Sequence, residues 1–145
     1  MRLPWLLITL VLATACSTGQ AVQKTPAIAV KQVSDVSMIQ VRTSTPVPVD
    51  YSIEITNPLD EDLTLTSLEI ETVGESGGYS MKRVRHTFSL MVKARETTAL
   101  AIRAWVVPLQ QNDRGDVTGM VNLRGVATFR ASSGVVRAPF ATRVQ

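Results

Sequence analysis

The sequence predicts an all-β fold: an antiparallel β-sandwich of about seven or eight strands, immunoglobulin-like in kind. Three observations predict it. Apolar residues recur at every second position in run after run, the period of a strand with one face buried. Between the runs lie clusters of Asn, Asp, Gly, Pro and Ser, spaced as turns between short strands would be. From Ala27 onward no window carries apolar residues at i, i+3, i+4 and i+7 for long enough to make a helix. Many short strands joined by turns bury their apolar faces against one another, and two packed sheets are the simplest way to do it.

Taken from the start of the chain, Met1 and Arg2 are followed by an apolar stretch, Leu3 to Leu12, and by the small residues Ala13, Thr14 and Ala15. Such a stretch is too short for a hydrocarbon core of ~30 Å, which needs about 20 helical residues, and reads as a secretory signal. The run Leu12-Ala13-Thr14-Ala15-Cys16 resembles a bacterial lipobox, in which small residues precede a Cys that becomes the lipidated N-terminus. The resemblance implies a signal peptide at residues 1–15 and acyl chains on Cys16, with a membrane as partner through that residue. Ser17, rather than Asp, then implies an outer-membrane position facing the periplasm in a Gram-negative envelope. Read instead as an ordinary cleavage motif, Ala13-x-Ala15 would leave Cys16 a free thiol. Residues 16–26 form a polar tether, whose ten flexible residues after the Cys would span roughly 17 to 19 Å.

Residues 27–145 form the predicted sandwich. A weak run covers Ile28 to Val41. Val47, Val49, Tyr51, Ile53 and Ile55 then alternate with Ser52, Glu54 and Thr56, up to the turn at Asn57-Pro58-Leu59-Asp60. Leu63 and Leu65 change phase at Ser67 to Leu68 and Ile70, as a β-bulge does to an alternating pattern. After a Gly-rich turn come the stripes Val84 to Val92, Leu100 to Val106, Val121 to Phe129 and Val136 to Phe140. Turns at residues 112–116 and at Ser132-Ser133-Gly134 separate the last of these.

Composition narrows the function. In 145 residues, 45% are hydrophobic and 19% charged, with a net charge of only +3, which excludes a disordered chain. One Cys excludes an internal disulfide framework, and one Cys with one His excludes a Cys/His zinc cage made by this chain alone. An aromatic share of 5% supplies poorly the stacking platform that single-stranded nucleic acid requires, so nucleic acid is not an expected partner.

The segment Tyr51-Ser-Ile-Glu-Ile-Thr-Asn57-Pro58, followed by Leu63-Thr-Leu65-Thr-Ser-Leu68-Glu-Ile70, resembles the signature of the group-two late embryogenesis abundant proteins, whose module is also called the water-stress-and-hypersensitive-response (WHy) domain. Thr97 to Ile102 takes the place of that family's Thr-rich strand, and Gly125 to Phe140 that of its closing hairpin. The resemblance covers about residues 36–144. It implies a β-sandwich that binds or protects cellular components under water or osmotic stress.

No residue pattern calls for catalysis or a cofactor. His86 falls on the apolar phase of its strand between Val84 and Phe88, where a packed core side chain is the expectation; a triad would need a Ser and an acid close to it, and no G-x-S-x-G is present. Glu54, Asp60, Glu61, Glu69 and Glu71 occupy solvent-facing strand positions or turns. Asp60-Glu61-Asp62 lacks the glycine and spacing of a Ca²⁺ loop. Charge order is more informative. Residues 17–75 hold three bases and nine acids, whereas 76–145 hold eleven bases and three acids. Cross-strand pairing of opposite charges would absorb much of this asymmetry. Against that, Arg124 and Arg130 share the outward phase of one strand and Arg137 and Arg143 that of its hairpin partner, a candidate surface for an anionic envelope component or a protein. Arg103 and Trp105 also share a phase, as an exposed cation–π pair or a small contact patch would, with a buried Trp as the alternative. The expectation is therefore a non-catalytic, lipid-anchored cell-envelope protein. The alternatives are an adaptor lipoprotein that docks a partner protein through the basic sheet face or an edge strand, and, more remotely, a hydrolase using His86.

Overall fold

A computed structural model describes residues 24–34, 45–74, 77–109 and 119–145. The leader, Cys16 and most of the tether lie outside the described residues, as do residues 35–41 of the first weak run and the turn at 112–116. The described residues form eight β-strands and no helix: β1 Ala27–Gln32, β2 Val47–Thr56, β3 Leu63–Thr72, β4 Tyr79–Ser80, β5 Val84–Val92, β6 Thr97–Pro108, β7 Val121–Ala131 and β8 Gly134–Val144. All pairings are antiparallel. The strands make two four-stranded sheets, in the orders β1-β2-β6-β4 and β5-β3-β7-β8. With β1, β2, β6 and β4 as A, B, E and D, and β3, β7 and β8 as C, F and G, this is the immunoglobulin-like order with β5 added outside β3.

The alternation visible in the sequence is what divides core from surface. Val49, Tyr51, Ile53 and Ile55 of β2 face Leu63, Leu65, Leu68 and Ile70 of β3 across the sandwich, all fully buried, with Val106 and Phe129 beside them. Burying each such side chain contributes about 1.5–3 kcal/mol. The expected phase change in β3 is present: its register against both β5 and β7 shifts between Leu65 and Ser67. Thr66 there donates its hydroxyl to the Thr128 carbonyl at 2.9 Å, so the interrupted ladder keeps a polar bond.

Two features were not evident from the pattern. Strand β4 is only two residues, Tyr79 and Ser80, paired with Pro108 and Val107 of β6. It brings the Tyr79 ring into the core, where the Tyr51 hydroxyl donates to the Tyr79 hydroxyl at 2.8 Å and Tyr79 donates in turn to Gln32 Oε1 of β1. A buried hydroxyl left unpaired would be costly, so this chain ties β1, β2 and β4 together through the interior. The second feature is Gly125 of β7. A Cβ at that position would run into the Glu69 carbonyl oxygen of β3 and the tip of the Phe140 ring of β8, so no larger residue fits without moving both.

The two flanks of the sandwich differ. On one, β1 packs against β8 and closes the gap between sheets. On the other, β5 and β6 barely meet. Strand β6 pairs with β2 along Thr97–Val106 and with β4 only at Val107 and Pro108, and β5 pairs with β3 alone among the described residues.

Burial, more than any other effect, pushes the Tyr51 hydroxyl far above the ordinary tyrosine range, and burial pushes Tyr79 up to about 12. Raised values mean that the stability these groups contribute is complete below the unfolded tyrosine value of about 10 and is lost as pH climbs toward the folded values. These are the chain's two tyrosines. An alkaline titration followed by tyrosinate absorbance should therefore show no ionisation near pH ~10, then a single rise coinciding with loss of the β-sheet circular-dichroism signal; a free titration of either ring near its ordinary value would contradict the buried pair.

Candidate functional site

One end of the sandwich gathers the polar side chains, and its centre is Asn57. Thr56 ends β2, Pro58 cannot continue the ladder, and the Asn57 side chain turns inward to 1% exposure. Its amide Nδ2 donates to the carbonyls of Glu61 at 2.8 Å, Lys93 at 3.1 Å and Val92 at 3.2 Å, and its Oδ1 accepts the Leu59 N–H at 3.0 Å. Its own backbone N–H donates to the Glu96 carbonyl at 2.9 Å. A single residue of the β2–β3 loop thus holds the β5–β6 turn.

The acidic run beside it completes the cap. Asp60 pairs with Arg95 Nε at 2.7 Å, Asp62 accepts the Ala94 N–H at 2.8 Å, and Glu61 accepts the Ser132 N–H at 3.0 Å together with the hydroxyls of Ser132 and Ser133. Arg95, whose N–H donates to the Leu59 carbonyl at 3.1 Å, adopts φ 61°, a left-handed conformation that non-glycine residues hold only when their surroundings impose it. The hydrogen bonds from Arg95 hold the Asp60 carboxyl below its ordinary range, with Lys24 adding to the pull, and those from Ser132 do the same for Glu61. These three carboxylates serve as staples between loops. No group of three or more His, Cys, Asp or Glu suited to a metal occurs among the described residues.

The opposed charges of the two halves of the chain largely meet. Of six ion pairs among the described residues, five join the acidic half to the basic half: Arg83–Glu71, Arg85–Glu69, Arg95–Asp60, Arg103–Asp50 and Arg124–Glu71, with Lys31–Glu54 the sixth. Glu71 takes both Arg83 and Arg124, whose hydrogen bonds hold its carboxyl below its ordinary value. These residues rim a shallow cleft of about 320 Å³ whose lining includes Gly125, Val126, Pro139 and Phe140.

The four candidate arginines accordingly fall into two groups. All are exposed on the outer face of the β7–β8 hairpin, as the phase predicts. The register divides them into two diagonal pairs: Arg124 lies opposite Ala141 with Arg143 opposite Asn122, and Arg130 lies opposite Val135 with Arg137 opposite Thr128. Six residues separate Arg124 from Arg130, ~20 Å along the strand. The first pair is committed, Arg124 to Glu71 at 2.7 Å and Arg143 to Asn122 Oδ1 at 3.1 Å. The second, Arg130 with Arg137, has no carboxylate partner among the described residues.

Other candidates resolve differently from expectation. Trp105 is 62% exposed on the outer face of β6, and its neighbour Arg103 is turned to Asp50 by two hydrogen bonds of 2.7 and 3.0 Å, so a guanidinium-to-carboxylate pair replaces the expected cation–π pair. His86 lies on the inner face of β5, as its phase predicts, with its ring 6.2 Å from that of Phe88, and its Nε2 is buried without a hydrogen-bond partner among the described residues.

What the sequence pattern missed is the role of Asn57 and of the acidic run. The available signal was an Asn at a strand end directly before Pro, with three consecutive acids after it; it reads as an ordinary turn because the groups it binds are about 35 and 70 residues away.

No family model matches the chain, and no curated protein is significantly similar to it in sequence. Solved structures are similar in fold. The crystal structure of structural-genomics target SoR45 superposes with a TM-score of 0.56 at 12% identity, covering 82% of this chain and 83% of that one. The solution structure of At2g46140.1, named among the late embryogenesis abundant (LEA) proteins, superposes with a TM-score of 0.51 at 16% identity, covering 82% of this chain and 68% of that one. The fold is LEA-like.

Replacing Asn57 by Ala leaves the carbonyls of Glu61, Val92 and Lys93 short of a donor inside the protein and should cost about 3 kcal/mol in urea denaturation. Asn57→Asp, which keeps the shape and removes the donor, should cost as much; an aspartate as stable as the parent chain would show that the cap does not depend on this amide.

Proposed function

We propose that this chain is a non-catalytic, lipid-anchored protein of the cell envelope whose LEA-like sandwich binds anionic envelope components through Arg130 and Arg137. The observation that carries the reading is the coincidence of two things at one end of the sandwich. Ala27 pairs with Thr56 at the start of β1, and Lys24, just before it, acts on Asp60 of the capping loop. The chain therefore enters the domain at the Asn57 end. Arg130, opposite Thr64 at the start of β3, belongs to that same end, and neither it nor Arg137 has a carboxylate partner among the described residues.

A tether running back to an acylated Cys16 would hold this end toward the headgroups. Three acyl chains anchor firmly, since each buried CH₂ contributes ~0.8 kcal/mol, and each nearby cation adds about 1 kcal/mol of attraction to an anionic surface. The LEA-like fold, with the name carried by At2g46140.1, supports a protective role under water or osmotic stress. Exposed Trp105 on the opposite sheet favours a second reading, in which that face docks a protein partner.

Two experiments separate the parts of this proposal. Inhibiting the lipoprotein signal peptidase in cells should leave an unprocessed precursor, and Cys16→Ser, which removes the acylated thiol, should abolish acyl labelling; normal processing under inhibition would remove the lipid anchor. Independently, Cys16→Ser protein should bind vesicles of mixed phosphatidylglycerol and phosphatidylcholine. The double reversal Arg130→Glu with Arg137→Glu should weaken that binding at least about tenfold, while Arg124→Gln, already committed to Glu71, should change it little. Equal loss from both variants would show that general charge, not this pair, does the binding.

A further inference from the structure

The open flank of the sandwich is bounded by β5, a nine-residue edge strand with no partner on its free side among the described residues. Edge strands are normally guarded by a proline, a charge turned inward, a bulge or a covering segment, because their unpaired N–H and C=O groups will otherwise pair with another chain. The β5–β3 ladder shifts register where Leu65 and Ser67 meet Leu90 and Thr87, yet inner and outer residues alternate without a break along the whole of β5; Val84–Val92 contains no Pro, no Lys and no Gly, and its one charged residue, Arg85, faces outward to Glu69. Its inner-facing residues Val84, His86, Phe88 and Leu90 are only half-buried, as is Leu100 of β6, whereas Val92 of β5 and Ile102, Ala104 and Val106 of β6 are buried. The apolar layer is thus left half-covered along β5 from Val84 to Leu90.

We propose that β5 pairs antiparallel with β5 of a second copy of this chain, about a two-fold axis at Thr87, joining two four-stranded sheets into one of eight. The strand is complementary to itself in that register. On the inner face Val84 meets the second copy's Leu90, and Phe88 meets its His86 ring, so the half-buried Val84, Phe88 and Leu90 side chains each gain cover. On the outer face Thr87 meets its own counterpart, Arg85 meets Ser89, and Arg83 meets Met91. No like charges are opposed. The side-chain period of two restricts registers to those that keep inner faces together, and charge selects among them: an axis at Phe88 would set Arg83 against Lys93 on both sides of the pair. The contact is isologous, as in most homodimers, and closes without leading to fibres.

Because Cys16 is the chain's only Cys, a Cys16→Ser background permits a clean test in the full chain, solubilised in mild detergent. In the proposed register Thr87→Cys lies directly opposite its own counterpart, at a Cα separation of about 4.5–5.5 Å that suits a disulfide. Mild oxidation should convert this variant to a covalent species of twice the 15.8 kDa of one chain. Arg85→Cys alone, about 13 Å from its counterpart, should stay uncrosslinked, and Arg85→Cys combined with Ser89→Cys should crosslink. A monomeric Thr87→Cys protein after oxidation, or equal crosslinking of Arg85→Cys alone, would overturn the register and the dimer with it. Crosslinking of Thr87→Cys in cells to a protein of another mass would overturn it in favour of a foreign strand on the same edge.

Discussion

The amide of Asn57 is the interaction on which the arrangement of this sandwich depends. Two sheets packed face to face attract each other through apolar burial, which is non-directional and tolerates sliding. Directional bonds at an edge remove that freedom. Asn57 leaves β2 of one sheet and binds the carbonyls of Val92 and Lys93, where β5 of the other sheet ends. Glu61 and Asp62 extend the same loop to Ser132 and Ala94. Three connections that are distant in sequence are thereby fixed to one another, and the positions of the arginines near Ser132 follow from it.

Charge is distributed by the same logic. An acidic first half and a basic second half would repel internally if each folded on itself, but an antiparallel sandwich interleaves them. Strand β3 from the acidic half lies between β5 and β7 from the basic half, so Glu69 and Glu71 find arginines on both neighbours. Exposed pairs of this kind contribute little individually, of order 0–1 kcal/mol. Their larger effect is to decide which cations remain available. Pairing consumes Arg83, Arg85, Arg95, Arg103 and Arg124, whereas Arg130 and Arg137 have no carboxylate partner among the described residues.

Much of the fold could be read in advance, because a half-buried strand writes its geometry into its composition. Val47 to Ile55 names its own inner face, and the phase change at Ser67 locates a bulge to within a residue of where the register shifts. Tyr79 and Ser80 could not be read, since two residues carry no period; that strand exists because the Tyr51 hydroxyl supplies a buried partner for Tyr79. Arg103 and Trp105 show the limit for the candidate site: phase placed both outward, while Asp50, half the domain away in sequence, decided that the guanidinium would turn from the ring.

By itself, then, the sequence determined the longer strands, the face of each that would be buried, and the alternation of acidic and basic segments, all of them local properties of periodicity and composition. Only the tertiary structure decided which strands became neighbours. That choice turned Asn57 from a turn residue into a cap, divided four arginines into a pair bonded to Glu71 and Asn122 and a pair with no carboxylate among the described residues, and set β5 at the end of its sheet, because each of these depends on groups brought together across dozens of residues by sheet order, which no local pattern specifies.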